Sequence, residues 1–166
     1  MIYINLIPSN LWFLNLRKML PIQEWKKVSE RIRSEFNWQC YCCNISINQI
    51  KNKSFFHAHE YWIFNREKKE VSLAAIVCVC KKCHDSIHIG YSSVKKNYFN
   101  AFNHLKKVNQ WSQEDTKNYV EYNFEEWSKN NKIDWVFNIN SFSKWLNKEQ
   151  VKMVSQFLNE MNKTNL

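Results

Sequence analysis

The chain has 166 residues, a formal net charge of +9 and a hydrophobic content of 45%. So many apolar residues can offset the entropy of ordering the chain, which excludes an intrinsically disordered polycation. No stretch approaches roughly 18 uninterrupted apolar residues, and residues 1–25 lack the small-residue cleavage site of a signal peptide, so we expect no membrane partner and a cytoplasmic location.

We predict a single domain over residues 1–166, with an N-terminal arm and helix in 1–37, a core in 38–92 and helices in 93–166. Because the chain has one glycine and two prolines, it has little scope for turns that depend on glycine. A helix-rich chain is therefore favoured.

Apolar residues recur at helical spacing over residues 22–36, which predicts the first helix. Residues 54–64 are rich in aromatics and residues 71–79 are apolar, so the two segments are predicted to pair as a small antiparallel hairpin. Residues 81–89 then fit a short helix that Gly90 would end.

Beyond the core, apolar side chains from Val94 to Val108 predict one amphipathic helix. Ser112 and Asp115 have the spacing of a capping box and open the next helix. The last helix is expected at about residues 147–161. Together these elements predict an α+β fold, in which mostly α-helical N- and C-terminal segments surround the hairpin.

Two Cys-x-x-Cys pairs, Cys40/Cys43 and Cys80/Cys83, flank the predicted hairpin. In a reducing compartment, cysteine clusters hold metal more often than disulfides, and two such pairs can close a tetrahedral site around one ion. A redox dithiol needs only one pair beside a βαβ unit, which is missing here. The sequence therefore predicts a structural Zn²⁺ that contributes folding energy.

Two further cysteines, Cys42 and Cys78, each lie two residues from a predicted ligand. Either is an alternative to Cys43 or Cys80, but only the chosen pairing gives the Cys-x-x-Cys spacing twice. Otherwise we expect them to be packed thiols.

Four of the five histidines lie close to these cysteines in the sequence. His84 and His88 are four residues apart on the predicted short helix, so their imidazoles point to one side, as metal ligands do. His57 and His59 share one face of the first strand. His104, on a later helix, is interpreted as a structural or surface residue.

The positive charge is concentrated in the part of the chain that holds every cysteine and histidine. Residues 1–111 carry a net charge of +10, whereas residues 112–166 carry −1. A basic region around a metal-type motif indicates a polyanionic partner, most simply nucleic acid. A solvated, lysine-rich surface is an equal alternative.

The segments CYCC, HAHE and CKKCHDSIHIG resemble the HNH, or ββα-metal, endonuclease family in its variant with two zinc-binding Cys-x-x-Cys pairs. The likeness is to small bacterial members, covers about residues 8–146, and includes Asn15-Leu16-Arg17, Trp25 and His59-Glu60-Tyr61-Trp62. It implies a ββα-metal core that hydrolyses phosphodiester bonds of nucleic acid, DNA foremost, with low sequence specificity. Such proteins occur in restriction, phage defence and mobile elements. Because a free nuclease endangers its host, a regulatory protein partner or a homo-oligomer is also expected.

The resemblance also implies the roles of individual residues. The helix of that family binds a catalytic Mg²⁺, Mn²⁺ or Zn²⁺, here through His84 and His88, and a hairpin histidine is the general base. This implies His59 as the catalytic histidine and His57 as a further ligand. In a second register, His59 binds the metal and Glu60, on the opposite strand face, is the base.

The chain departs from the family pattern in two respects that bear on catalysis. The usual Asp-His or His-His doublet before the metal helix is Ala58-His59 here. The central Asn of the family is missing from residues 73–76. A second hypothesis therefore stays open, in which the protein is a zinc-stabilised module that binds nucleic acid or a protein partner without catalysis.

Five cations flank the motif in the sequence and are candidates for contacts to backbone phosphates. They are Lys81, Lys82, Arg66, Lys68 and Lys69. Such contacts carry no base preference, which is the reason for expecting low specificity; plain solvation is the alternative role.

Overall fold

A computed structural model describes residues 1–164 of the chain. Its α-helices are α1 (Leu16–Met19), α2 (Ile22–Glu35), α3 (Ile47–Ile50), α4 (Lys81–Ile87), α5 (Ile89–Val94), α6 (Tyr98–Asn109), α7 (Gln113–Asn130) and α8 (Lys148–Thr164). The strands are β1 (Phe56–Asn65), β2 (Glu70–Cys80) and β3 (Val136–Phe137). Short 3₁₀ helices cover Ser9–Leu11, Lys53–Phe55 and Ile139–Lys144. Within the described residues, no helix has both the length and the hydrophobicity needed to span a membrane.

The predicted α+β class is confirmed, because an antiparallel hairpin of β1 and β2 lies between helical segments. β1 begins two residues later than the predicted strand, since residues 53–55 form a 3₁₀ turn. β3 was not expected from the sequence; it pairs in parallel with the far side of β2. The sheet order β1-β2-β3 makes β1 an edge strand, so one side of its backbone is free for other partners.

The first helix forms where the sequence predicts it. Pro21 is the N-cap of α2, and its fixed φ suits a helix start. Val28 and Ile32 are buried one turn apart against the core, while charged residues occupy the solvent side. α2 packs on β1 and β2 and so forms one wall beside the edge strand.

Two expectations about the helices after the hairpin are wrong. α4 ends at Ile87, and Gly90 is the second residue of α5 and not a stop signal. The single helix expected from Val94 to Val108 is two helices, α5 and α6. The chain breaks between them because Lys96 takes a left-handed conformation with φ 56°, and Val94 is left 78% exposed. Hydrophobic spacing alone does not reveal such a break.

The other two helix expectations are confirmed. The Ser112 hydroxyl accepts a hydrogen bond from the Asp115 backbone N–H, and the Asp115 carboxylate accepts one from the Ser112 N–H, which closes the capping box of α7. α8 covers the predicted last helix.

The N-terminal arm packs on the body of the protein, as expected. Ile2 and Ile4 are buried, and the backbone N–H and C=O of Ile2 bond the side-chain amide of Asn109. The arm then passes the end of α4 and reaches β1. It therefore connects the C-terminal helices with both elements that carry histidines.

Candidate functional site

The four cysteines of the two Cys-x-x-Cys pairs come together at one end of the hairpin. Cys40 and Cys43 lie in the loop between α2 and α3, Cys80 ends β2, and Cys83 is in the first turn of α4. Their sulfurs all lie within 4.8 Å of one another. Cys43 Sγ and Cys80 Sγ are 3.8 Å apart, which is about the separation of two thiolates on one tetrahedral zinc. The four thiols are thus placed to hold one metal ion such as zinc.

Both remaining cysteines are buried beside this cluster. Cys78 is fully enclosed, and burial raises the pKa of its thiol to about 12. The Cys42 sulfur lies 3.8 Å from the Tyr61 hydroxyl. Neither belongs to the group of four, so the pairing chosen from the spacing is the one that the fold assembles.

His104 lies beside the cysteine cluster, which its sequence position did not indicate. Its Nε2 is 3.3 Å from the Cys83 sulfur, where α6 packs against α4. An imidazole N–H at this position can donate to a metal-bound thiolate and orient it. No feature of the sequence pairs residues 83 and 104, because only the packing of two helices brings them together.

Three histidines from the hairpin and the following helix converge. The ring centroids of His59 and His88 are 4.8 Å apart, those of His84 and His88 are 4.8 Å apart, and those of His59 and His84 are 5.2 Å apart. One nitrogen from each ring lies within 4.8 Å of the other two. The helical spacing of four residues and the strand position of His59 produce this arrangement.

His59 is the centre of the group and has an unusual environment. Its side chain is 1% exposed, and neither ring nitrogen has a hydrogen-bond partner among the described residues. Buried polar atoms almost always find a partner, so a buried imidazole without one that faces two others is a candidate metal ligand. Burial, and then repulsion from His88, lower the pKa of His59 well below its usual value.

The same effects act on the two helix histidines. Burial lowers the pKa of His84 to about 3 and that of His88 to about 4. All three imidazoles are therefore neutral at pH 7, and the neutral ring is the form that binds a metal.

His57 lies at the edge of this cluster and is only partly buried. Its Nδ1 is 3.2 Å from Nδ1 of His84, and the two rings meet edge to face. It is not one of the three converging histidines. Burial lowers its pKa, and so does the positive charge of Lys81.

Glu60 faces the opposite side of β1, as expected from strand alternation. Its carboxylate accepts a hydrogen bond of 2.9 Å from the Leu16 backbone N–H at the start of α1. Burial raises its pKa to about 7. It nevertheless lines the cavity described next, together with β1 residues from both strand faces.

An open cavity of about 420 Å³ adjoins the histidines. His57, His59, His84 and His88 line it from one side, and α1 and α2 line it from the other. Two cations that the sequence analysis missed, Arg17 and Arg33, are in its wall. The Arg17 guanidinium is exposed and has no hydrogen-bond or ion-pair partner within residues 1–164, whereas Arg33 bonds Glu30 and the carbonyl oxygen of Ser29.

The five cations chosen from the sequence lie in two different places. Lys81 and Lys82 open α4, one turn before His84, and Lys81 pairs with Asp85 at 2.7 Å. The other three, Arg66, Lys68 and Lys69, are at the turn of the hairpin, about 20 Å along the strand from His59. These three cations flank the histidines in the sequence but not in the fold, because residues 60–65 of β1 lie between His59 and the turn. Arg66 bonds Glu126 and Asn130 of α7.

Comparisons with known proteins found no match: no protein-family model, no curated protein and no solved structure is similar to this chain.

Proposed function

We propose that this protein is a metal-dependent endonuclease of the HNH, or ββα-metal, type that hydrolyses phosphodiester bonds in nucleic acid, with DNA as the first substrate to test. One observation carries the proposal: the fully buried His59 has no hydrogen-bond partner within residues 1–164 and faces His84 and His88 beside an open, cation-lined cavity. A purely structural cluster would have its polar atoms satisfied and would not need access to solvent.

The cysteine cluster is proposed to hold a structural Zn²⁺. Four thiolates complete a tetrahedral shell and leave no position for a substrate, so this ion does not take part in the reaction. Its role is to fix the loop before the hairpin to the start of α4, and hence to hold the helix that carries His84 and ends directly before His88.

The histidine cluster is proposed to hold the catalytic ion through His59, His84 and His88. Three neutral imidazoles leave a position open for a water or a phosphate oxygen. Among Mg²⁺, Mn²⁺ and Zn²⁺, imidazole donors favour Zn²⁺ over Mg²⁺, which prefers oxygen ligands. When bound, the ion would polarise the scissile phosphate and stabilise the leaving oxygen.

This ligand set makes His59 a metal ligand and assigns the water-activating role to another group. His57 is proposed as the proton acceptor, because it lies on the same strand face, lines the cavity and is partly exposed. A water oxygen forms the new bond to phosphorus, the phosphorus–oxygen bond to the leaving group breaks, and the proton of the water passes to a ring nitrogen of His57.

Glu60 is the competing proton acceptor. It also lines the cavity, but its carboxylate is engaged by the Leu16 N–H on the other face of β1. Phosphate binding is proposed for Arg17, whose guanidinium is unpaired within the described residues, together with Lys82 at the start of α4.

Digestion of supercoiled plasmid with added Zn²⁺, Mn²⁺ or Mg²⁺ tests the proposal. We expect nicked or linear DNA with the wild type, and a loss of more than about 100-fold with His59→Ala or His88→Ala. His57→Ala is expected to lose about 100-fold while retaining metal, which distinguishes a proton acceptor from a ligand. Glu60→Gln should then retain more activity than His57→Ala; the reverse order would assign the base to Glu60.

The matched control is Lys117→Ala, an exposed cation on α7 that touches neither cluster. It should cleave as the wild type does. The wild type, folded and loaded with zinc, could bind DNA or RNA and yet cleave neither with any of the three ions. That result would make the non-catalytic binding module the correct alternative.

A further inference from the structure

Asn5 of the N-terminal arm lies between the two elements that carry the converging histidines. Its backbone N–H donates a hydrogen bond of 3.2 Å to the carbonyl oxygen of Ile87, the residue before His88. Its side-chain Nδ2 donates to the Trp62 carbonyl oxygen at 3.1 Å, and its Oδ1 accepts from the Trp62 N–H at 3.2 Å. One residue thus bonds the end of α4 and the free edge of β1.

The side-chain amide of Asn5 replaces a missing strand partner. β1 is an edge strand, and Trp62 is 4% exposed, so its outward backbone groups would be buried without a partner. An amide has one acceptor and one donor side by side and satisfies both. A carboxylate of the same shape could accept from the Trp62 N–H but would set an oxygen against the Trp62 carbonyl.

The position of these bonds bears on the histidines. Trp62 is three residues after His59 on β1, and Ile87, the last residue of α4, directly precedes His88. Ring centroids of His59 and His88 are 4.8 Å apart. Among the described residues, β1 and α4 also meet directly through the 3.2 Å contact between His57 and His84, but that contact does not reach the end of α4 beside His88. Asn5 bonds Trp62 of β1 and Ile87, and so contributes to the distance between the two imidazoles.

We propose that Asn5 is a positioning residue, which holds β1 and α4 at the separation required for His59 and His88 to bind one metal ion. This inference rests on the proposed metal site and names a residue outside its ligands. The rest of the arm is anchored separately, since Ile2 bonds Asn109 and the Ile4 N–H donates to the Tyr119 hydroxyl. Changing the Asn5 side chain should thus leave the arm in place.

Titration with Co²⁺ of protein whose cysteine site is filled with zinc tests the proposal. We expect Asn5→Ala to weaken Co²⁺ binding at the histidines about tenfold or more and to change the visible Co²⁺ absorption band. Asn5→Asp should do the same, and Asn5→Gln, which keeps the amide, should restore part of the affinity. One zinc per chain should remain in each variant.

Asn10→Ala is the matched control, because Asn10 belongs to the same arm and its amide also donates to a backbone carbonyl, that of Ile133. It should bind Co²⁺ within about twofold of the wild type. The proposal is overturned if Asn5→Ala and Asn10→Ala lower the melting temperature but bind Co²⁺ equally well.

A measurement without the second metal tests the role of Asn5 independently of the proposed nuclease activity. In zinc-loaded protein without Co²⁺, Asn5→Ala should speed hydrogen exchange of the Trp62 amide, and Asn10→Ala should not. Unchanged exchange would refute the Asn5 contact. Wild type that binds Co²⁺ through the histidines but cuts no nucleic acid would instead refute the nuclease and leave the role of Asn5 intact.

Discussion

The cysteine cluster and the histidine cluster both include a residue of α4, but they differ in packing and in access to the cavity. Cys83 and His84 are consecutive residues of α4, and neighbours on a helix point about 100° apart, so one side chain joins each cluster. The thiols are close-packed and mostly buried, in the spacing of a complete tetrahedral shell. The imidazoles adjoin a cavity of about 420 Å³. The first arrangement suits a structural ion and the second an ion that meets a substrate.

This comparison makes the second site depend on the first, but not the reverse. Cys83 places the start of α4 in the cysteine cluster, whereas His88 directly follows the last residue of α4 and lines the cavity. Losing a cysteine should therefore disrupt both sites, and losing a histidine only one.

The largest effect is expected from Cys83→Ser. It removes a thiolate from the group of four, so the zinc should be lost and the free energy of unfolding should drop by at least about 4 kcal/mol, a shift of about 10 °C in Tm. Zinc content by mass spectrometry and thermal unfolding by circular dichroism measure both. A variant that keeps its zinc and its Tm would mean that Cys83 is only a packed thiol.

His88→Ala is the counterpart that breaks the second site alone. Because the His88 ring has no hydrogen-bond partner within residues 1–164, we expect its loss to change the free energy of unfolding by no more than about 1 kcal/mol when only the cysteine site of both proteins is filled. Metal content should fall from two ions per chain to one, with the zinc of the cysteines retained. Loss of both ions would show that the cysteine site also depends on the histidine site.

His104→Phe sharpens the role of the residues around the thiols. It keeps a ring of similar size but removes the nitrogen that lies 3.3 Å from the Cys83 sulfur. Zinc affinity, measured by competition with a chelator, should fall about tenfold, since partners of metal ligands have effects of this size. An unchanged affinity would assign His104 to packing alone.

The smallest effect is expected from Arg17→Gln. Arg17 lines the cavity, and its guanidinium has no partner within residues 1–164. Its loss should therefore weaken nucleic-acid binding by catalytically inactive protein and lower the slope of log Kd against log salt by about 1. Lys68→Gln at the hairpin turn is the control, because it lies about 20 Å along the strand from the histidines. If the two changes weaken binding equally, the hairpin turn also contacts nucleic acid.

The sequence was sufficient for the parts of the fold that local spacing determines. Two Cys-x-x-Cys pairs, the i, i+4 histidines and the apolar strands are short-range patterns, and each forms close to where the sequence predicts it, although His88 lies one residue beyond the end of α4. The capping box of Ser112 and Asp115 is also local.

The remaining features depend on contacts between residues far apart in the chain, which spacing does not encode. Arg17 reaches the cavity because α1 packs near β1, and Asn5 reaches Trp62 across 57 positions. Closeness in the sequence also gave no guide to closeness in the fold. Arg66 directly follows β1, the strand that carries His59, but it lies at the end of β1 that is far from His59. An extended strand rises about 3.3 Å per residue, so a few positions along it are enough to move a residue out of a site.

Anomalous diffraction at the zinc edge, from crystals grown with Zn²⁺, tests the central claim most directly. Two peaks per chain are expected: one among the sulfurs of the two Cys-x-x-Cys pairs, and one among the rings of His59, His84 and His88 beside the open cavity. A single peak at the cysteines, with the three imidazoles turned apart, would contradict the proposal of a second, reactive metal centre.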